Sequence, residues 1–158
     1  MQRLWRPFIV LLFCLVFVAC SSRPVKRVSP PAASIQQITV RTDGSWVVDL
    51  RLQNYSTMPM RFDAITLEVT VGGQSAGTLR AAPGLSIGPT SADVASFELR
   101  PDSTARIVVA GALAERRALA YQVEGKVTAT PEEQKPREFD IRYRSQLNPA
   151  PGLEGVLR

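Results

Sequence analysis

One short motif in this chain has the spacing of a catalytic serine. Residues 84–88 read Gly-Leu-Ser-Ile-Gly and fit the pattern G-x-S-x-G. In a nucleophile elbow the serine follows a strand, precedes a helix and is activated by a histidine. Here Pro83 and Pro89 flank the motif, and the chain contains no histidine. We therefore interpret the motif as a chance match and assign Ser86 no catalytic role.

The residue types needed for most other reactive sites are also missing. Without histidine the chain lacks the usual general base, the usual zinc ligand set and any Ser-His-Asp arrangement. No Ser-x-x-Lys pair and no phosphate-binding glycine-rich loop ending in lysine occur. The adjacent acids Glu132 and Glu133 are typical of a solvated turn. We predict that the protein is not an enzyme and has no catalytic residue, no metal and no cofactor.

Two side chains are candidates for covalent modification. Asn54-Tyr55-Ser56 is a formal glycosylation sequon, but these residues are also typical of a turn, and we prefer that interpretation. The second candidate is Cys20. Cys14 lies inside an N-terminal apolar run, which we interpret below as a signal peptide that is removed, and Cys20 ends that run as the predicted lipidation site. We therefore expect no free thiol to remain for a disulfide, a metal or catalysis.

The N-terminus has the layout of a signal peptide. Arg3 and Arg6 precede a continuous apolar run over residues 8–19, which is shorter than a spanning helix requires. The run ends in Phe-Val-Ala-Cys, with Cys20 last. This ending resembles a bacterial lipobox, in which the cysteine thiol is acylated and the chain is cut just before it. We predict a signal peptide over residues 1–19 and lipidation at Cys20.

The resemblance to a lipobox also implies a location. Ser21, in place of an aspartate, follows the cysteine, which resembles the outer-membrane sorting rule of Gram-negative lipoproteins. We expect the protein in the bacterial cell envelope, attached to the outer membrane through its N-terminal lipid and facing the periplasm. Such an anchor is effectively permanent when it has several acyl chains, because each buried methylene contributes about 0.8 kcal/mol.

A basic, proline-containing segment follows the cysteine. Residues 20–33 hold three prolines and three basic side chains, with no apolar period. Because prolines favour extended backbone, we predict a lipidated tether that lifts a domain off the membrane. The formal net charge of +5 is not concentrated in one run with interleaved aromatics. We therefore predict no binding to nucleic acid.

Period-two alternation predicts the strands of that domain, which we place at residues 34–147. Asp43-Gly44 precedes the clearest strand and predicts a hairpin with a type I′ turn. Residues 54–60 break the pattern and should carry the chain from one sheet to another. The two longest alternating runs pass through Trp46, Val48, Leu50 and Leu52, and through Ile65, Leu67, Val69 and Val71.

The strand count and the turn spacing predict an antiparallel β-sandwich. About seven short strands with turn signals every ten or so residues are typical of that mostly β fold. Residues 148–158 are rich in proline and glycine and predict a C-terminal tail on the surface. The aromatic residues expected in the core are Trp46, Phe62, Phe97, Tyr121 and Phe139.

Residues 103–117 allow two interpretations. A short helix could be capped by Asp102 or Ser103, with Ile107, Val108 and Ala112 facing inward. A strand is the alternative, because the segment also contains consecutive valines and a glycine.

Two strand motifs and a turn of this chain occur together in one known family. The strand motifs are Leu67-x-Val69-x-Val71-Gly72-Gly73, with Gly77 beyond, and Tyr121-x-Val123-x-Gly125. Asn54 matches the first residue of an Asn-Pro-Asn turn, which continues here as Tyr55-Ser56, and Pro59 matches the proline that follows. Over residues 35–145 the chain thus resembles the late embryogenesis abundant (LEA) type 2 family, also called the water stress and hypersensitive response (WHy) domain.

The resemblance implies a fold and a role. It implies an immunoglobulin-like or fibronectin-like sandwich with a helix, and a part in tolerance of desiccation or other stress. It supplies no catalytic residues. We expect a non-catalytic, lipid-anchored envelope protein that protects or binds other macromolecules. The alternatives are an adaptor or assembly lipoprotein that recruits a specific envelope partner, and a carrier of an apolar ligand between the sheets.

Overall fold

The structure is a computed structural model that describes residues 25–158. These residues form two antiparallel sheets and one helix. Sheet A has the strand order β6-β2-β1-β9, and sheet B has the order β4-β3-β7-β8, with β5 also paired to β3. The elements in chain order are β1 Ala32–Val40, β2 Trp46–Gln53, β3 Met60–Val71, β4 Gln74–Ala81, β5 Leu85–Ile87, β6 Ala92–Leu99, α1 Ser103–Ala114, β7 Leu119–Pro131, β8 Arg137–Leu147 and β9 Val156–Leu157.

The two sheets pack face to face, so the predicted antiparallel sandwich is confirmed. Residues 25–158 contain nine strands and not about seven, because the short strands β5 and β9 were not foreseen. The chain crosses from sheet A to sheet B directly after β2, as the broken pattern at residues 54–60 predicted. The first and last strands within residues 25–158 lie in the same sheet, where β9 pairs with β1 at Ile38 and Thr39.

The core lies between the sheets and follows the period of the strands. The side chains of Trp46 and Phe62 are completely buried there. Trp46 shares its buried face with Val48, Leu50 and Leu52, as the alternation predicted. The remaining predicted aromatics also contribute to the core: Tyr121 is buried, and Phe97 and Phe139 are partly buried against it.

The turn of the β1–β2 hairpin differs from the prediction in its type. The β1–β2 hairpin forms as expected, but Gly44 alone has positive φ there, at 81°. Asp43 instead holds the turn through its Oδ1, which accepts hydrogen bonds from Ser45 N at 3.0 Å and Ser45 Oγ at 2.7 Å. The prediction of a type I′ turn was therefore wrong for this hairpin. Gly72 and Gly73 both have positive φ, at 51° and 79°, which is what a type I′ turn requires.

Residues 103–114 are helical, which resolves the two interpretations of this segment. Ala105, Val109 and Ala112 form the buried stripe, at the i, i+4, i+7 spacing of one helix face. Ile107 lies off this stripe and is 72% exposed, so its predicted inward position was wrong. Asp102 occupies the N-cap position, but its side chain makes no capping hydrogen bond.

The ends of the predicted domain differ from the structure. β1 begins at Ala32, and Ala33 is buried, so the boundary at residue 34 falls inside a strand. The proline- and glycine-rich segment 148–158 is not simply a surface tail. Val156 and Leu157 are buried in β9, and Ala150 N donates to Val156 O at 2.8 Å. Within residues 25–158, no helix has both the length and the apolar character needed to cross a bilayer.

Candidate interaction surface

The outward face of sheet B is a continuous polar surface. Even-numbered side chains of β7 point away from the core because the odd-numbered ones, such as Tyr121 and Val123, are buried in it. The same alternation turns Thr66 and Glu68 of β3 to solvent. In the sequence, period-two alternation assigns seven polar residues to outward strand faces, and the structure brings all of them onto one sheet: Thr66, Glu68, Thr70, Gln122, Glu124, Arg142 and Arg144.

An open groove of about 850 Å³ crosses this face. All four long strands of sheet B contribute to it, and most of the residues that line it are polar or charged. Small-molecule pockets are usually enclosed and mainly apolar, so this groove is better suited to an extended polar partner. Its charged lining residues are Glu68, Arg80, Glu124, Lys126, Glu138, Asp140 and Arg142.

Gly125 lies in the lining of the groove and allows two strands to approach closely there. It has φ of 150°, a conformation that residues with a side chain rarely adopt. A Cβ at this position would lie 2.1 Å from the carbonyl oxygen of Thr66 and 3.0 Å from the Cα of Leu67 on β3. The pairing of β3 with β7 also shifts register between Phe62 and Ala64. Such irregularities bend strands, and we attribute the hollow in sheet B to them.

Ion pairs join neighbouring strands across the groove. Arg142 Nε lies 2.6 Å from Glu124 Oε1, and Lys126 Nζ contacts Glu138 Oε1, so both pairs connect β7 to β8. The hydrogen bond to Glu138 raises the pKa of Lys126 above its usual value. Exposed ion pairs add little to stability because water screens them. Their effect is to distribute both signs of charge along the groove.

Asn54 organises the loop that connects the two sheets. Its side chain is completely buried. Asn54 Nδ2 donates to the carbonyl oxygens of Met58 at 2.9 Å, Ile87 at 3.1 Å and Gly88 at 2.9 Å, and its Oδ1 accepts from Ser56 N at 2.8 Å. The side chain thus joins the β2–β3 loop to the β5–β6 connection. Asn54 builds the predicted turn, and its amide is enclosed by the protein and unavailable to a glycosylating enzyme.

The first described residues are bound to this same loop. Thr57 N donates to Arg27 O at 3.0 Å, and Arg27 N donates back to Thr57 Oγ1 at 2.8 Å. Ser29 N donates to Ser56 Oγ at 3.0 Å. We call residues 25–31 in this docked arrangement the N-terminal clasp. Within the predicted tether over residues 20–33, the part from residue 25 onward is therefore bound to the domain.

An ion pair adds a second attachment for the N-terminal clasp. Lys26 Nζ lies 2.6 Å from Glu133 Oε2 in the β7–β8 turn. The hydrogen bond to Lys26 holds the pKa of Glu133 below its usual value, and Glu133 raises the pKa of Lys26. Both groups are therefore charged at neutral pH. Glu132 and Glu133 lie in an exposed turn as predicted, although Glu133 has a partner that sequence reasoning did not identify.

The remaining candidate residues have simple outcomes. Cys20, the predicted lipidation site, lies outside the described residues. Ser86 lies within the short strand β5, exposed and opposite Arg61 of β3, so it is not on the strand-to-helix turn of a nucleophile elbow. Among residues 25–158, no group of three or more acidic, cysteine or histidine side chains is placed to hold a metal ion.

Sequence reasoning missed two features of this surface. Gly125 was noted as part of a motif, yet a glycine inside an alternating strand is itself a signal of close backbone approach. The N-terminal clasp gave no such signal. Its hydrogen bonds to Ser56 and Thr57 involve mainly backbone atoms of the clasp, which any residue types provide.

Comparisons with known proteins give structural likeness alone. No family model matches the chain, and no curated protein matches it. A solved Arabidopsis thaliana protein is 11% identical with a TM-score of 0.50, covering 85% of this chain and 90% of that one. At this identity the match shows a shared fold.

Two further solved structures are similar at lower TM-scores. A protein from Archaeoglobus fulgidus is 16% identical with a TM-score of 0.40, over 78% of this chain and 98% of that chain. A protein provisionally assigned as late embryogenesis abundant is 9% identical with a TM-score of 0.47, over 89% of this chain and 79% of that chain.

Proposed function

We propose that this protein is a non-catalytic, lipid-anchored protein of the bacterial cell envelope, related to the LEA type 2 family, that protects or binds other macromolecules under desiccation or similar stress. The outward face of sheet B is the surface through which it acts. Cys20 carries the lipid, and the attachment is to the outer membrane on its periplasmic side.

The observation that carries the proposal is the character of that face. It presents threonine side chains and both signs of charge along a groove of about 850 Å³. Polar groups of this kind hold water and make water-mediated contacts to other surfaces without burying themselves. A surface that stays hydrated and contacts many partners weakly is what a protective protein needs.

The anchor is supported by the sequence at the N-terminus and has a direct test. In cells given labelled fatty acid, the wild-type chain should take up label and be shortened to begin at Cys20. Cys20→Ala should remain an uncleaved, unlabelled precursor. Normal processing and labelling of that variant would contradict lipidation at Cys20.

The protective role is tested with the chain from Ser21 onward, which needs no lipid. It should preserve the activity of a labile reporter enzyme through drying or freeze–thaw. Its effect should exceed that of an equal mass of an unrelated β-sandwich, which controls for crowding. Ser86→Ala should protect equally well, because we assign this serine no catalytic role; loss of protection in that variant would argue for an enzyme.

An adaptor that recruits one envelope partner is the second candidate. The alternating charges of the groove favour it, since they would suit a partner of complementary pattern. Native mass spectrometry of the membrane-extracted protein separates the two functions. A single partner in fixed stoichiometry would support the adaptor, and its absence together with protection of the reporter would support the first proposal. A co-purifying lipid would support the carrier of an apolar ligand between the sheets.

A further inference from the structure

We propose that the domain stands upright on a lipid surface, with the β2–β3 loop and the β7–β8 turn toward the bilayer and α1 at the far end. We call these two ends of the sandwich the basal end and the distal end. This inference rests on the proposed lipid anchor at Cys20. It adds the orientation that the structure imposes on the anchored domain.

The first step is the place where the chain leaves the domain. The N-terminal clasp is held by paired hydrogen bonds between Arg27 and Thr57, and Thr57 Oγ1 also donates to Val25 O at 2.6 Å. Lys26 is paired with Glu133 in the β7–β8 turn. The hydrogen bonds to Thr57 therefore hold the exit point at the β2–β3 loop, and the exposed Lys26–Glu133 pair places it beside the β7–β8 turn.

The second step is the rigidity of the surface that holds the N-terminal clasp. Thr57 belongs to the loop that Asn54 organises from inside through four hydrogen bonds. Ser56, whose Oγ accepts a hydrogen bond from Ser29 N of the clasp, is itself completely buried. The clasp is thus attached to a part of the loop that is tied into the core.

The third step places both loops at the basal end. β3 begins at Met60, which pairs with Pro131 at the end of β7 and with Ile87 of β5. β2 ends, and β6 begins, where Gln53 pairs with Ala92. The β2–β3 loop, the β5–β6 connection and the β7–β8 turn therefore meet at one end of the sandwich.

The distal end is formed by the other ends of the same strands. Val71 at the end of β3 pairs with Tyr121 near the start of β7. Gly72 lies directly under α1, because a Cβ there would be 2.6 Å from Val108 Cγ1. The helix and the β3–β4 turn therefore lie a full strand length from the N-terminal clasp.

The fourth step compares two lengths. Five residue steps separate Cys20 from Val25, and a fully extended chain covers at most about 17 Å in that number. β3 has 12 residues, so the sandwich is roughly 40 Å long in that direction. The lipid anchor keeps the basal end near the bilayer and is too short to reach past the distal end. In the upright orientation the groove in sheet B stands open to the side.

The test uses two single-cysteine variants of the full lipidated chain, with a fluorophore on the introduced thiol. Lys135→Cys labels the basal β7–β8 turn, and Gln74→Cys labels the first residue of β4, directly after the distal β3–β4 turn; both positions are exposed. In vesicles with nitroxide-labelled headgroups, we expect the basal label to be quenched at least about threefold more than the distal one, given the separation of the two ends. Equal quenching, or stronger quenching of the distal label, would overturn the orientation.

A pair of threonine variants tests the role of the N-terminal clasp. Thr57→Val removes the hydroxyl that bonds Arg27 N and Val25 O, so the difference in quenching between the two labels should shrink. Thr66→Val is the matched control on the open face of sheet B and should preserve the difference. A difference unchanged by Thr57→Val would overturn the role given to the clasp.

Failure of the anchor is distinguished from failure of the orientation by the mass of the N-terminal peptide. If Cys20 carries no acyl chains, the proposed anchor and the orientation both fall. If Cys20 is acylated and the quenching pattern is wrong, the anchor stands and the orientation alone is refuted.

Discussion

Asn54 is the residue on which the connection between the sheets depends. A buried asparagine without partners would destabilise the fold, because unsatisfied polar groups lose their hydration on burial. Here both ends of the amide are satisfied, and within residues 25–158 no buried side-chain nitrogen or oxygen lacks a partner. The residue that matched a family motif in the sequence is thus the one that the loop structure requires.

Replacing Asn54 should therefore be costly. Asn54→Ala leaves backbone groups of Ser56, Met58 and Ile87 without their partners in a buried site, and we expect it to lower the free energy of unfolding by about 3 kcal/mol. Chemical denaturation of wild type and variant measures this difference. Asn148→Ala is the control, since Asn148 is exposed and its change should stay within roughly 0.5 kcal/mol. Equal effects at the two positions would refute the role given to Asn54.

Tyr121 makes stability depend on pH at the alkaline end. Burial, together with the neighbouring Tyr143, raises the pKa of its hydroxyl to about 12, although the hydroxyl hydrogen-bonds to Ile35 O at 3.0 Å. Between the ordinary tyrosine pKa of about 10 and this value, the unfolded chain has lost the proton and the folded chain has kept it. The folded state then binds more protons, so rising pH favours unfolding across this window.

We expect the free energy of unfolding to fall between about pH 10 and pH 12 because of this group. Tyr121→Phe should be less stable than wild type at pH 8, by about 1 kcal/mol for the lost hydrogen bond, and should show a smaller decline at high pH. Denaturant titrations at pH 8 and across the window from about pH 10 to pH 12 measure both effects. Tyr55→Phe, on an exposed side chain, should keep the wild-type decline, and a decline unchanged by Tyr121→Phe would contradict this assignment.

At the scale of elements, the contact between β3 and β7 is the critical pairing. Gly125→Ala would place a methyl group 2.1 Å from the Thr66 carbonyl oxygen, and the two strands would have to move apart. We expect a loss of more than about 3 kcal/mol, since the unfavourable φ alone costs 1–3 kcal/mol. Thermal unfolding followed by circular dichroism provides the measurement.

A second glycine separates the steric effect from the backbone effect. Gly73 also has positive φ, but a Cβ there would meet nothing within 4 Å. Gly73→Ala should therefore cost only about 1–2 kcal/mol. If Gly73→Ala proved as damaging as Gly125→Ala, the close approach of β3 and β7 would not be the cause.

The sequence predicted the elements whose pattern is periodic and missed those that depend on distant contacts. Alternation placed Trp46 correctly in the core, because one face of a strand has to be buried. A strand of two residues, such as β9, is too short to show period-two alternation in the sequence. The burial of its residues comes from pairing with β1. Ile107 was misplaced because the buried helix stripe uses the small residues Ala105 and Ala112, which carry a weaker apolar signal than isoleucine.

The candidate surface was predicted in part for the same reason. Strand alternation identified outward residues such as Glu124 and Arg142 on β7 and β8. It could not predict that the two side chains lie 2.6 Å apart, or that they line an open groove. The N-terminal clasp was missed because its partners, Ser56 and Thr57, are about 30 residues away in the chain and bind it mainly through its backbone.

At the scale of the whole molecule, we propose that different parts have different tasks. In this proposal the N-terminal lipid attaches the protein, the N-terminal clasp orients the domain, and the core between the sheets keeps it folded. The outward face of sheet B is left to meet other macromolecules. Protection should therefore depend on the side chains of that face and be indifferent to similar changes on sheet A.

Two double variants of the chain from Ser21 test this claim most directly. Glu124→Ala with Arg142→Ala removes an ion pair from the groove, and Arg41→Ala with Glu98→Ala removes the exposed pair on sheet A, whose Arg41 Nη1 and Glu98 Oε2 lie 3.3 Å apart. Each keeps the net charge, and poorly quenched, blue-shifted Trp46 fluorescence would verify that each is folded.

The measurement is the reporter-enzyme activity that survives drying in the presence of each folded variant. We predict that the groove variant loses most of the protection and that the sheet A variant protects as wild type does. Equal protection by both variants would contradict the claim that the outward face of sheet B carries the function.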